Sequence, residues 1–273
     1  MHTIENTIAE TVEAESLIGY VSSAPGPVRE RLGASTARIG GGVAVAMRAD
    51  GSGFWNRTVG LGVAAPVTED VLAEVVAFYR AARVLRASVQ IAPSALPADW
   101  DEISTRHGLT AGATWMKLGA QVEEVQAVSS GLRAGPLPAA ERTAWAEIIL
   151  ASFGMTAPGL TEMMSAAAAE PAFLPFGAWD GDTLVGGGTL FLHGQAGLLS
   201  GAGVSPEHRR RGAQSALILA RARAARQAGC RWLIAETGLP ADGTTNPSLD
   251  NLRRLGLRDL YPRRNWVWRA DGA

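Results

Sequence analysis

The sequence predicts an α/β chain, more narrowly α+β, in which two mixed-sheet units follow one another. Three observations carry this. At 273 residues, 47% hydrophobic and 19% charged, the chain is long enough for two domains of typical size and apolar enough to bury real cores. An apolar stretch, Leu198 to Val204, stops at Ser205-Pro206, because proline has no N–H for a strand ladder; an alanine-rich helix then begins after Gly212. Finally, the halves repeat weakly. Gly60-Leu61-Gly62-Val63 with Pro66 parallels Gly201-Ala202-Gly203-Val204 with Pro206, and each half continues with a long helix, a strand, a short helix and a Gly-Leu pair. Those pairs are Gly108-Leu109 and Gly256-Leu257; Trp115-Met116-Lys117 and Trp266-Val267-Trp268 then occupy the last strands. The rival is one domain with an elaborated N-terminal extension.

Taken in order, Ile4, Ile8, Val12 and Leu17 stand near helical spacing with glutamates between, which predicts an amphipathic helix over 3–19. Ser22 to Pro27 breaks it. Ile39 to Met47 reads as a strand, Asp50-Gly51 as a turn and Asn56 to Val63 as a second strand. Thr68 caps a helix to about Ala82, with Glu69 and Asp70 suited to its dipole. Val84 to Ile91 is a strand, Asp99 to His107 a short helix closed by Gly108, and Thr114 to Leu118 a strand. Gly131 to Pro138, with two glycines and two prolines, reads as a linker. Helices are expected over Ala139 to Phe153 and Thr161 to Ala169, and a hairpin over Pro175 to Leu192 turning at Asp180-Gly181-Asp182. The helix after Gly212 closes at Gly229. A strand over Arg231 to Glu236, a helix over Ser248 to Leu255 and a strand over Asn265 to Trp268 complete the chain.

Net charge is −1, so nothing global steers the chain to nucleic acid or an anionic membrane. Locally, Arg209, Arg210, Arg211, Arg221, Arg223 and Arg226 gather around one loop and helix. The one cysteine, Cys230, precludes an internal disulfide and reads as a small core residue. Residues 1–19 carry four glutamates and no Lys or Arg, unlike a secretory leader, and no apolar run reaches membrane-spanning length. A soluble cytoplasmic protein is expected.

The loop at Ser205 to Gly212 is a candidate anion cradle, since successive N–H groups entering a helix point at a ligand. The G-x-x-x-x-G-K-[ST] spacing is absent, and Pro206 stands where a dinucleotide fingerprint needs its third glycine. What Val204 to Leu217 resembles is the acyl-CoA loop of the GNAT N-acetyltransferase superfamily, roughly V-x-P-x-x-[RQ]-x-x-G-x-[GA]. Val204, Pro206, Arg209 and Gly212 match; Gln214 departs, and its side chain must point away from a pyrophosphate. Asn246 to Leu257 resembles the family's second CoA-contacting helix, N-x-x-[AS]-x-x-L-Y-x-x-x-G-F. Leu252 takes the place of the tyrosine that many relatives use as general acid.

The resemblance implies two GNAT-like domains: a degenerate copy with an N-terminal helix over 1–130, and an acyl-CoA-binding catalytic domain over 131–273. In the first, Ala64 to Asp70 has no glycine or arginine and two carboxylates, so it would repel an anion and serve instead as a lid, a dimer surface or part of the acceptor cleft. The implied cofactor contacts are Ala202, Gly203, Val204, Arg209, Arg210, Arg211, Gly212, Ala213, Gln214 and Ser215. Asn246 is one residue displaced from the family asparagine, and Asn251 is the alternative. The N–H of Val204 is the inferred oxyanion donor. Glu236 is the candidate general base; its other readings are a cap or a partner for an arginine. Tyr261 is the substitute general acid, or else an aromatic packed beside Pro262. Glu207, His208 and His193 read as surface groups. The implied activity is transfer of acetyl from acetyl-CoA, without a metal, to a primary amine of a small molecule or peptide. The alternative is a non-catalytic acyl-CoA-binding or sensor protein. Neither nucleic acid nor membrane is an expected partner; a homodimer is.

Overall fold

The computed structural model describes residues 6–126 and 131–270. Eleven strands form one mixed sheet. The first half supplies helix α1 (Asn6–Ser22), a short helix α2 (Gly26–Leu32), strands β1 (Ala34–Ile39), β2 (Gly42–Met47) and β3 (Arg57–Leu61), α3 (Glu69–Ala82), β4 (Arg86–Ile91), α4 (Trp100–Arg106) and β5 (Leu109–Gln121). The second supplies β6 (Arg133–Pro136), α5 (Arg142–Ser152), α6 (Leu160–Ala167), β7 (Phe173–Asp180), β8 (Thr183–His193), β9 (Ala196–Val204), α7 (Ala213–Gln227), β10 (Trp232–Gly238), α8 (Pro247–Arg254) and β11 (Arg258–Arg269).

The sequence expectations need three corrections. Ile39 to Met47 is not one strand: Gly40 and Gly41 both take positive φ, 54° and 80°, the backbone of a tight two-residue hairpin turn, and so separate β1 from β2. The segment after Ser22 re-forms a helix, α2, opened by Pro25 and closed by Gly33 at φ 58°. Half of the expected linker, Arg133–Pro136, is β6, an edge strand that pairs antiparallel with β7. The remaining elements fall where the sequence places them, most with bounds shifted by a few residues, while β5 and β11 each run eight residues longer than expected. Thr68 caps α3 as read, its Oγ1 accepting from the Val71 N–H at 3.3 Å. Among the described residues no helix is long and apolar enough to cross a membrane.

The sheet order, β1-β2-β3-β4-β11-β5-β10-β9-β8-β7-β6, reveals an exchange. Each half runs hairpin, bulged strand, helix, parallel strand and short helix. Each then gives its last strand to the other half: β5 pairs with β10, and β11 pairs with β4. The two exchanged strands also pair with each other, antiparallel, across the junction. Among the described residues only β3–β4 and β9–β10 are parallel pairs. One face carries α1, α2, α5 and α6 over an apolar layer that includes Leu17, Trp145 and Phe173; the opposite face of the second half carries α7 and α8 over Leu217, Leu233 and Leu255. Cys230 is buried at the foot of β10, as expected of a core thiol.

The exchange makes each half depend on the other for a sheet partner. Residues 131–273 expressed alone should therefore fail to give a monomer with a cooperative unfolding transition, because β10 loses β5 and β11 loses both neighbours. A monomeric, cooperatively melting fragment would contradict this.

Candidate functional site

β9 and β10 pair from Ala196↔Trp232 to Leu199↔Ala235 and then separate. The fork follows from a bulge. Against β8, Gly187 faces Gly203 while Thr189 faces Ser200, so β9 holds one extra residue there, with Gly201 at φ 51°. The same turn brings β9 hard against α5: a Cβ on Gly203 would lie 2.5 Å from Ser152 Oγ. Backbone donors alternate along a strand, and the Ser205 N–H bonds to the Val185 carbonyl of β8 at 2.9 Å. The Val204 N–H therefore faces the opposite, unpaired edge.

A cavity of about 460 Å³ opens at the fork, lined on one side by Ile218, Ser248 and Leu252 and on the other by Leu17, Tyr20 and Trp55. Beyond its first side lies the arginine loop. Arg210 and Gly212 take positive φ, 61° and 87°, and α7 starts at Gly212 with no side-chain cap. The first turn of α7 closes with a bond from Ala216 N to Gly212 O, so Ala213 to Ser215 hold the first-turn donors of the helix. Gln214 does point away, bonding to Ser248 Oγ at 2.9 Å and receiving Asn251 Nδ2 at 2.6 Å. Ser215 Oγ is turned to Arg254 at 3.0 Å. Arg209 reaches back to the Val204 carbonyl at 3.3 Å, and Arg211 pairs with Asp180 at 2.6 Å. His208 and Glu207 lie on this loop, near Asp180 and each other.

Two of the expected cofactor contacts, Asn246 and Asn251, are engaged by other protein groups. Asn246 caps α8, accepting from Ser248 N and Leu249 N, and its amide donates to Thr237 Oγ1 and to the Gly238 carbonyl. Asn251 donates to Gln214 and accepts from Arg254. Both side chains clamp α8, Asn246 to β10 with both amide hydrogens and Asn251 to α7 with one, and so shape the cavity.

The first half's equivalent cleft is closed. Gly60 repeats the bulge glycine at φ 78°, but a Cβ on Gly62 would lie 2.4 Å from the Ala95 methyl, so the turn at 93–95 fills the space. Thr68 caps α3 with its own side chain, and Glu69 and Asp70 occupy the first turn, where they repel anions. The half contributes to the fork instead: Phe54, Trp55, Arg57 and Trp115 line the cavity.

Glu236 is the first residue of β10 beyond the fork, directly opposite Lys117 of β5. Its carboxylate lines the cavity and receives Arg263 Nη2 at 2.5 Å, Lys117 Nζ at 3.0 Å and Arg57 Nη1 at 3.4 Å. The same cations hold Glu13 of α1, and Arg263 also bonds Glu10 Oε2 at 2.7 Å. Three carboxylates thus meet three cations in a nearly dry space. Burial raises the Glu236 pKa above its ordinary 4.5; Arg263 opposes the rise and Glu13 adds to it. Against the same burial, Arg263, Lys117 and Arg57 hold Glu13 well below 4.5. A proton entering the pair therefore goes to Glu236. Of the readings open to Glu236 from sequence, the arginine partner is present in the structure. Tyr261 is corrected: it does not line the cavity, its hydroxyl donates to Glu10 Oε1 at 2.7 Å, and burial and Glu10 raise its pKa. It braces the cluster rather than facing a leaving group.

Sequence reasoning missed Glu10, Glu13, Arg57, Lys117 and Arg263. One signal was present: Glu10 and Glu13 share the face of α1 with Leu17 and Tyr20, at helical spacing, and all four are buried.

Residues 143–244 match the model of the acetyltransferase (GNAT) family. No curated protein matches the chain. Among solved structures it is similar to a GCN5-related N-acetyltransferase from Kribbella flavida, at 18% identity over 98% of each chain with a TM-score of 0.63. A GCN5-related N-acetyltransferase from Sphaerobacter thermophilus follows at 15% identity over 86% of this chain and 76% of that one, with a TM-score of 0.60. A tandem GNAT protein from the clavulanic acid biosynthesis pathway is similar at 15% identity over 98% of this chain and 94% of that one, with a TM-score of 0.59. At these identities the likeness speaks for the fold, which is a GNAT fold in tandem.

Arg263 is fully buried and touches Glu10, Glu13 and Glu236. Arg263→Met leaves those carboxylates without their shared partner and should cost about 3–5 kcal/mol of stability by denaturant unfolding. A change within about 0.5 kcal/mol would show that the cluster is not a structural constraint.

Proposed function

We propose that this chain, whose residues 143–244 form a GNAT acetyltransferase domain, transfers acetyl from acetyl-CoA directly to a primary amine within a ternary complex. The observation that carries the reading is the fork, with Glu236 first beyond it on β10 and an uncapped helix start beside it. The residues present fit a CoA thioester. The unpaired edge of β9 offers ladder bonds to an extended pantetheine arm, as to an added strand. The first turn of α7, from Ala213 to Ser215, offers N–H donors to phosphate oxygens, and Arg209 to Arg211 add positive charge there. The Val204 N–H is available to a thioester carbonyl oxygen.

Glu236 takes a proton from the bound ammonium, leaving the neutral amine to attack. The C–N bond forms as the C–S bond breaks, and a second amine proton leaves with the thiolate as thiol. An ammonium and a thioester thereby become an amide, a thiol and one proton. No phenol stands at the usual acid position: Leu252 lies there, 6% exposed, on the cavity wall. That residue favours one other reading, a protein that binds acyl-CoA without turning it over.

Glu236→Gln should lower kcat for CoA release roughly 10²–10⁴-fold, with CoA affinity by calorimetry close to wild type. Because the variant also removes one charge of the buried cluster, its melt should fall, and the rates are compared at a temperature where circular dichroism shows both proteins folded. Because the base works as the free carboxylate and its pKa is raised, the wild-type rate should fall as pH drops through a value above 4.5, and the variant should lose that limb. Undiminished release by the variant would contradict the assignment. Tight CoA binding without release across a broad amine panel would favour the sensor.

A further inference from the structure

The two ends of the cavity differ in chemistry. Next to the arginine loop it is bounded by Gln214, Ile218, Ser248 and Leu252; away from that loop it is walled by Leu17, Tyr20, Phe54, Trp55, Trp115 and Met164. If the donor's phosphates occupy the first end, the acceptor meets the second, and five of its six walls come from the first half of the chain. From this wall we infer that the acceptor is a small primary amine on an aromatic or similarly apolar body, carrying no second charge. The inference rests on the acyl-transfer reading above and names the substrate class for the same site.

The wall is a set of rings already arranged edge to face. Trp55 meets Tyr20 at 5.5 Å and Phe54 at 5.4 Å between centroids, with interplanar angles of 70° and 89°. Phe54 and Trp115 stand 6.3 Å apart. Arg57 covers the Phe54 ring at 4.4 Å, which fixes that ring from the side of the charge cluster. A flat apolar body gains burial and edge-to-face contact here, whereas hydroxyls find few free partners.

Charge narrows the class further. The charged side chains lining the cavity are Glu13, Arg57, Arg221 and Glu236. Both carboxylates are already matched by Arg57, Lys117 and Arg263. Proton uptake by Glu236 serves one ammonium and only one. Arg221, 1% exposed, directs its hydrogen bonds to the carbonyls of Leu217, Thr189 and Ser200, and burial lowers its pKa to about 10. No described carboxylate lies within ion-pair distance of it, so a second ammonium meets this cation and finds no counter-ion. Size acts in the same direction, because about 460 Å³ must hold both the acyl end of the donor and the acceptor. Polyamines and aminoglycosides fail on charge and on hydroxyl count.

The test is CoA release from acetyl-CoA with phenethylamine, hexylamine, spermidine, kanamycin and phenylalanine. We expect kcat/KM for phenethylamine to exceed that for spermidine and kanamycin by about 100-fold or more. Trp55→Ala should raise the KM for phenethylamine at least about tenfold and leave the KM for acetyl-CoA unchanged. Should that buried variant fail to fold, Phe54→Ala and Trp115→Ala, at half-buried positions, report the same wall. Preference for spermidine or kanamycin overturns the inference while leaving acyl transfer standing. Preference for phenylalanine over phenethylamine also overturns it, by showing that the site reads a carboxylate. Bound CoA by calorimetry with no release from any amine removes the acyl-transfer reading, and the inference with it.

Discussion

Arg263 is the residue on which the architecture converges. It lies on the last strand of the chain, fully buried, and bonds two glutamates of the first helix and one of β10. A guanidinium in so dry a place is tolerable only when its fork of donors is matched, and a carboxylate there is tolerable only beside such a fork. The group therefore fixes relative position more than it adds net stability. It ties α1 to β10 and β11, and through Lys117 and Arg57 to β5 and β3.

The exchanged strands explain how so many charges reach one point. Because β11 enters between β4 and β5, Arg263 lies among residues of the first half; because β5 pairs with β10, Lys117 stands opposite Glu236. The candidate base in the second half is thus held and tuned by residues of the first. In the first half Ala95 fills the equivalent cleft and Thr68 caps the helix, yet this half forms the aromatic wall of the cavity at the β9–β10 fork. Of the three roles open to it from sequence, part of the acceptor cleft is the one its geometry supports.

What the sequence made legible was local. Val204 to Leu217 announces itself because proline, glycine and an alanine-rich run each have one structural meaning in that order. Thr68 followed by Glu69 and Asp70 reads as a cap for the same reason. The side chain of Gln214 turns to Ser248 and Asn251, as the sequence reading requires. The misses have a common cause in distance. Arg263 and Glu10 are far apart in the chain, and a glutamate in an amphipathic helix ordinarily reads as solvent-facing. Motif position assigns Asn246 and Asn251 to a ligand, whereas Asn246 spends both amide hydrogens on β10 and Asn251 bonds to Gln214 of α7. Tyr261 was placed by its closeness in sequence to the last strand, but the side to which its hydroxyl points depends on α1, which lies at the other end of the chain. The hairpin at Gly40-Gly41 was lost because two glycines inside an apolar run look like a weak strand until their φ values are known.

The central claim is that a CoA thioester is held in the fork between β9 and β10, with Glu236 at the reacting end. A crystal structure with acetyl-CoA tests it most directly. The account predicts the pantetheine arm along Ser200 to Val204, the pyrophosphate at the start of α7, and the thioester within reach of Glu236 through one water. Acetyl-CoA bound against Val63 to Asp70 in the first half, or a fork left empty at saturating ligand, would contradict it.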